Sequence, residues 1–367
     1  MADSTRTAIY LSPEGPILKD IAERYRPTGA QSLLCVEYSG INPADVKHAT
    51  IGYHSSVAGY EMSGHVLEAA PDSPFKPGDK IFGIKPPPAP NGRCPPAVYG
   101  STPKLRHGGQ PLLAQSPVAG GLGLREAASL PVMTMTAADG LFNLLGLAFP
   151  GAGVRSGSES QGLLVWGGAS SVGLAVVQLA KAAGHGPIFV TASAKNHETL
   201  RALGADRCFD YKADDVVERI REAIRDCGRP VRHAFDAVGV GSLAEGDDFG
   251  KSSPGLTAAS VSFDGQRDQD VKLVCVLPVR EDSRYKLCFA TRNHESPMEL
   301  ARMADPEAWY GMQAKVMAWV TANYGEGMYV GSPNITTVKG TRESLDAMRR
   351  SAEGKYSLEK VVIEHPL

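Results

Sequence analysis

Between residues 163 and 238 short apolar runs alternate with stretches whose apolar positions recur at helical spacing. Leu163–Trp166, Ile188–Ser193, Arg207–Tyr211 and His233–Val238 read as strands, and Leu174–Ala183, His197–Leu203 and Asp214–Cys227 as the helices between them. That alternation predicts an α/β fold with a doubly wound parallel sheet, to which Lys272–Leu277 adds a later strand. The region up to about residue 120 has a different pattern. Leu33–Tyr38, His65–Ala69 and Lys80–Ile84 read as strands, and Pro77-Gly78-Asp79 marks a turn before the last of them. The proline tract Lys85–Gly92 reads as a surface loop. Leu124–Phe149 is helical in spacing but broken at Pro131, and Pro150–Gly162 is a polar loop. A helix over Pro306–Tyr324 and a strand over Lys360–Ile363 close the pattern, and no internal repeat is visible.

The most informative stretch is the first strand of the alternating region with the turn that follows it. Gly167-Gly168-Ala169-Ser170-Ser171-Val172-Gly173 is a run of small residues between a strand and a helix. Such a turn directs backbone N–H groups and the positive helix end at one point, where a phosphate fits. Gly168, Ser170, Ser171, Val172 and Gly173 are therefore candidate cofactor contacts. The Gly168-to-Gly173 spacing lacks the middle glycine of the dinucleotide fingerprint, so an ordinary buried βα unit is the competing reading. Ser160–Ala180 carries no charge, but the consecutive Gly, Ala and Ser residues at its centre make a poor membrane-spanning helix.

The second strand shifts the balance. An NAD-preferring fold ends it with Asp or Glu to hold the ribose 2′-hydroxyl. Here it runs into Ser193-Ala194-Lys195-Asn196. A hydroxyl and an ammonium suit a 2′-phosphate, which a carboxylate would repel. One charged hydrogen bond contributes roughly 1.5–3 kcal/mol, on the order of ten- to a hundredfold in cofactor choice. Ser193 and Lys195 thus point to NADP(H), although a single loop lysine is equally an ordinary solvated residue.

Composition sets outer bounds. The chain has 367 residues, 43% hydrophobic and 21% charged, with a net charge of −2, enough for two domains with their own cores. No basic run marks a nucleic-acid partner, no membrane association is expected, and MADSTRTAIYL has no apolar signal core, so a cytoplasmic protein is expected. Cys35, Cys94, Cys208, Cys227, Cys275 and Cys288 form no C-x-x-C pair and read as reduced thiols, with no cysteine-based metal site.

Seven motifs in order carry a resemblance: Gly40-Ile41-Asn42-Pro43-Ala44-Asp45, Gly59-Tyr60-Glu61-Met62-Ser63-Gly64, Lys76–Gly83, Ala127-Ala128-Ser129-Leu130-Pro131, the small-residue turn, Leu203-Gly204-Ala205-Asp206 and Phe235-Asp236-Ala237-Val238-Gly239. Together they resemble the medium-chain dehydrogenase/reductase superfamily. The resemblance implies a GroES-like β-rich catalytic domain over residues 1–125, a Rossmann nucleotide-binding domain over 126–310, and a return to the catalytic domain over 311–367. Zinc-dependent members carry Gly-His-Glu where this chain has Gly59-Tyr60-Glu61, and no cysteine stands beside Asn42 or near Thr134. Three zinc ligands and the four-cysteine lobe of those members are missing, so no metal is expected. The Asn42-Pro43-Ala44-Asp45-Val46-Lys47 form is similar to the quinone and enoyl reductase branch, and most similar to fungal trans-acting polyketide enoyl reductases.

The resemblance implies oxidoreductase chemistry in which NADPH reduces an α,β-unsaturated thioester or ketone without a metal. Hydride addition at Cβ leaves an enolate, which needs donors at its oxygen and a proton at Cα. By position, Lys47 corresponds to a lysine of the trans-acting reductases, and Tyr53 lies at the offset of a tyrosine proposed as acid in related reductases. Asn42 is expected near nicotinamide or substrate, Thr136 and the backbone at Leu277 near the nicotinamide, and Tyr211 beside the 2′-phosphate. Each has a plainer reading: a surface lysine, a packing tyrosine, a turn-capping asparagine, a helix-interior threonine, an edge aromatic. His48, His54 and His65 read as structural.

The substrate is expected to be a small or carrier-bound enoyl compound, with a polyketide synthase as partner. Arg93, Lys104, Arg106 and His107 are candidate contacts for an acidic carrier. A stand-alone quinone or enone reductase and a non-catalytic nucleotide-binding protein remain alternatives. Pro278 and Arg280-Glu281-Asp282, at the end of the last strand expected in the sheet, read as edge protection and predict a monomer.

Overall fold

Alternating inward and outward positions build the first part of the chain into antiparallel sheet. The computed structural model describes residues 6–21, 27–29, 32–52, 54–84, 101–102, 106–107, 110–111, 115–118, 121–151, 162–242, 248–263, 270–291, 306–325 and 327–367. It opens with a hairpin the apolar pattern does not predict, β1 (Arg6–Ser12) and β2 (Gly15–Ile21), turning at Gly15 with φ +119°. There follow β3 (Ser32–Gly40), α1 (Ala44–Lys47), β4 (Ser56–Val57), β5 (Glu61–Ala69) and β6 (Lys80–Ile84). The expected strands are all present; β3 and β5 are longer than predicted, and β6 has the predicted bounds. Short strands β7 (Ser101–Thr102), β8 (Arg106–His107), β9 (Gln110–Pro111) and β10 (Gln115–Pro117) precede α2 (Leu124–Ala127) and α3 (Pro131–Ala138). The break falls at Pro131, as expected, and α3 runs into a π-helical turn over Asp139–Leu144.

The alternating region forms β11 (Gly162–Trp166), α4 (Ser171–Ala182), β12 (Ile188–Thr191), α5 (His197–Leu203), β13 (Arg207–Phe209), α6 (Val216–Asp226), β14 (Val231–Asp236), α7 (Ser253–Val261), β15 (Lys272–Cys275) and β16 (Tyr285–Leu287). All pairings in this six-stranded sheet are parallel, in the order β13-β12-β11-β14-β15-β16. Leu163, Leu164 and Val165 in the central strand have no exposed surface, as expected for a strand covered on both faces. The chain runs outward from β11 to β13 and then restarts at β14 on the other side. The loops after β11 and β14 therefore flank the switch point, where such sheets bind ligands.

The remaining elements are α8 (Pro306–Asn323), β17 (Asn334–Lys339), α9 (Thr341–Ala352) and β18 (Glu359–Glu364). Strands β17 and β18 complete the first sheet, ordered β10-β6-β5-β3-β18-β17 with β7 on β3; β18 runs antiparallel to β3 and β17 parallel to β18. The chain divides into one unit of Met1–Val132, Arg292–Gly325 and Pro333–Leu367 and a second of Met133–Thr291 and Glu326–Ser332. The first unit thus comprises three stretches of chain and the second two, of which Glu326–Ser332 is the shorter.

The assumed sheet edge requires correction. Strand β15 ends at Cys275, and β16 pairs on its outer side. Pro278 and Arg280-Glu281-Asp282 therefore lie in the β15–β16 connection and guard no edge. Arg93 and Lys104, two of the proposed carrier contacts, lie outside the described residues, as does Cys94. The five described cysteines are free thiols.

Candidate cofactor and catalytic sites

Close backbone approach shapes the turn after β11. A Cβ on Gly168 would lie 2.1 Å from Val190 Cγ1, and one on Gly173 would lie 2.4 Å from Gly167 O, so both positions require glycine. Gly167 has φ +80°, and its N–H donates to Thr191 Oγ1 at 3.0 Å. Ser170 caps α4: its hydroxyl accepts from Gly173 N at 3.1 Å and donates to Ala237 O at 3.2 Å. The Ser170 side chain is thus a fastener, whereas Ser171 and Val172 open the helix with N–H groups that have no intrahelical acceptor. This cradle suits a pyrophosphate.

Three loops at this sheet edge are tied together. Asp236, at the end of β14 and fully buried, accepts from Val238 N and Gly239 N at 2.9 Å each and from Ser253 Oγ at 2.6 Å. Burial pushes its carboxyl above the usual range, against the pull of those donors. Gly239 takes φ +61° beneath Leu277, and a Cβ there would lie 2.8 Å from Leu277 Cβ. Leu277, half-buried, thereby brings backbone past the end of β15 alongside the β14 loop. The sequence contained Asp236 only inside a motif; its fastening role follows from its position at the strand end.

On the other side of the switch point, Ser193 is half-buried after β12 and Lys195 is exposed in the short 3₁₀ turn that follows. Tyr211, 44% exposed, follows β13, and the Lys212 ammonium lies 5.9 Å from its ring centroid. Ser193, Lys195 and Tyr211 thus share the carboxyl edge of adjacent strands, joined by a second cation, Lys212, that sequence reasoning missed although it adjoins Tyr211. Thr136, in α3, is only 8% exposed.

In the first unit the polar groups face one another. Lys360 Nζ lies 2.6 Å from Glu61 Oε1 and donates to Asn42 Oδ1 at 2.6 Å, while Asn42 Nδ2 donates to Glu61 Oε1 at 2.9 Å. Glu61 Oε2 accepts from Val132 N at 2.7 Å, at the start of α3. A Cβ on Gly40 would lie 2.3 Å from Glu61 Oε1, so the cluster closes over a glycine. Asn42 is 4% exposed, and both ends of its amide are engaged. Its amide supplies further hydrogen bonds of the kind that a buried lysine–glutamate pair requires.

Lys47 ends α1 on the surface, and Tyr53 lies outside the described residues. His48 Nδ1 is 2.6 Å from Tyr60 Oη in an edge-on ring contact, and burial pushes its imidazole down to about 4. His54 pairs with Ser55, and His65 lies 3.0 Å from Glu37 Oε1, so the three histidines serve separate local contacts.

Two family descriptions match the chain: an alcohol dehydrogenase GroES-like domain over residues 29–135 and a zinc-binding dehydrogenase domain over 171–269. The trans-enoyl reductase tazE of Aspergillus terreus is 30% identical over 272 residues, covering 70% of this chain and 84% of its own. The trans-enoyl reductase tndF of Aspergillus flavipes is 28% identical over 99% of both chains. The crystal structure of CurK enoyl reductase superposes over 100% of both chains with a TM-score of 0.64 at 18% identity, a likeness of fold. The chain belongs to the medium-chain dehydrogenase/reductase superfamily, in its quinone and enoyl reductase branch, and is an oxidoreductase that works with a nicotinamide nucleotide.

Proposed function

We propose that this protein is an NADPH-dependent enoyl reductase that reduces the α,β-double bond of a carrier-bound polyketide thioester without a metal. The observation that carries the choice of NADPH is the edge formed by Ser193, Lys195, Tyr211 and Lys212. Two cations and a hydroxyl follow adjacent strands there, and no acid ends β12. The similarity to the trans-enoyl reductases tazE and tndF supports the alkene substrate.

The donor set does not fit the zinc used by alcohol dehydrogenases of the family. Glu61 already holds the Lys360 ammonium, the Asn42 amide is engaged at both ends, and Tyr60 is bound to His48. A tetrahedral zinc needs three ligands free to turn toward it. The nicotinamide nucleotide fits the residues present: Ser171 and Val172 N–H groups would hold the pyrophosphate, Lys195 and Lys212 the 2′-phosphate, and the Leu277 backbone would border the nicotinamide end. When bound, the nucleotide supplies the hydride. Lys47, exposed at the end of α1, donates to the thioester oxygen as enolate charge develops there.

The test is NADPH absorbance with an enoyl thioester on a pantetheine arm and, in parallel, on an acyl carrier protein. Turnover with NADPH on the carrier substrate is expected. Equal turnover on free quinones or small enones would favour a stand-alone reductase. Binding without turnover on any of them would reject the enzyme reading.

A further inference from the structure

Residues 326–332 leave the first unit, join the nucleotide-binding unit and return. Two buried side chains hold this strap. Gln178, 1% exposed in the middle of α4, accepts from Val330 N at 2.8 Å and donates to Gly331 O at 2.8 Å and to Leu174 O at 2.9 Å. Tyr329 has no exposed surface, and its hydroxyl lies 2.6 Å from Thr134 Oγ1. A buried amide in a helix is unfavourable unless both ends are satisfied, and here one stretch of backbone satisfies both. Gly327 and Gly331 flank the contact with φ +75° and +66°.

The two helices gripped by the strap are α3, which carries Thr136, and α4, which the Gly168–Gly173 turn opens; Thr136 and the turn are the groups assigned to the cofactor. Gln178 lies seven residues beyond Ser171, two helical turns along the same face of α4. Thr134 lies two residues before Thr136 in α3. We propose that Gln178, Thr134 and Tyr329 are positioning residues for the nicotinamide nucleotide: the 327–331 strap holds α3 and α4 in the one relative placement at which the Gly168–Gly173 turn and the Thr136 end address the same ligand. The inference rests on the cofactor class alone and is independent of the substrate reading.

Linkage supplies the test, because a strap that favours nucleotide binding is itself made firmer by the nucleotide. Titrating the full-length chain with NADPH, read by quenching of intrinsic fluorescence, should show Gln178→Leu binding about tenfold more weakly, a difference of about 1.4 kcal/mol. Its kcat at saturating NADPH should stay within about twofold of wild type, because only uniform binding is lost. Hydrogen exchange at the Val330 amide should slow when NADPH is added to wild type and not when it is added to the variant. Ser260→Ala, which removes a buried hydroxyl bond to Leu256 O in α7, is the control for general loosening and should leave the affinity unchanged. If Gln178→Leu fails to fold, Tyr329→Phe and Thr134→Val each remove the hydroxyl contact between these two residues and carry the same expectation at smaller size. Unchanged NADPH affinity in these variants, or a Val330 amide indifferent to NADPH in wild type, would overturn the proposal. Failure of wild type to bind NADPH or NADH would instead overturn the cofactor reading.

Discussion

The two polar clusters of this molecule are built on opposite principles. At the carboxyl edge of the parallel sheet, the side chains of Asp236, Ser170 and Thr191 bind loop backbone to loop backbone, leaving the helix-opening N–H groups unengaged by the helix. In the first unit, Lys360, Glu61 and Asn42 satisfy one another in a buried cluster. A region that uses side chains to hold its own backbone keeps the backbone for a ligand. A region that buries opposite charges gains a fixed local geometry and presents little to a ligand.

The largest expected effect tests the closed cluster. Lys360→Met leaves the Glu61 carboxylate buried without its cation and should cost about 3–5 kcal/mol in urea unfolding. Adding Glu61→Leu should restore part of that loss. A double variant worse than the single one would show that the pair is more than mutually compensating.

Acid comes next and acts on both units. His48 and His365 in the first unit and His233 in the second are pushed by burial from 6.5 to about 4. The unfolded chain binds these protons first, so stability falls as pH drops from 6.5 and levels off below about 4, by at most about 3 kcal/mol for each group. Unfolding midpoints that do not change between pH 7 and 4.5 would contradict the burial of these imidazoles.

Gly173→Ala addresses the open cluster. A methyl group 2.4 Å from Gly167 O must push the turn apart, costing about 1–3 kcal/mol and most of the NADPH affinity. Unaltered binding would exclude the turn as the phosphate cradle. The smallest effect is expected for Lys195→Ala, about tenfold in NADPH affinity with NADH unchanged. Equal losses for both nucleotides would remove Lys195 from 2′-phosphate recognition.

This contrast also explains what could be read in the sequence. Glycine turns and apolar runs are local signals, so β11, the Gly168–Gly173 turn and α5 emerged close to their observed bounds. Asn42 was visible as a motif residue, but its engagement with Lys360 joins positions 318 residues apart, which no local pattern encodes. The amphipathic α9 and the edge strand β16 were missed for different reasons. The first is so polar that its buried Ala347 and Met348 form a thin stripe, and the second is too short for a period. Gln178 carries no such local signal, because its partners in the strap, Val330 and Gly331, lie more than 150 residues away.

Calorimetric titration of the purified chain with NADPH and with NADH asks what the Ser193–Lys195 edge was built to hold. NADPH should bind tighter by about tenfold or more. NADH bound equally well or better, or neither nucleotide bound, would contradict it.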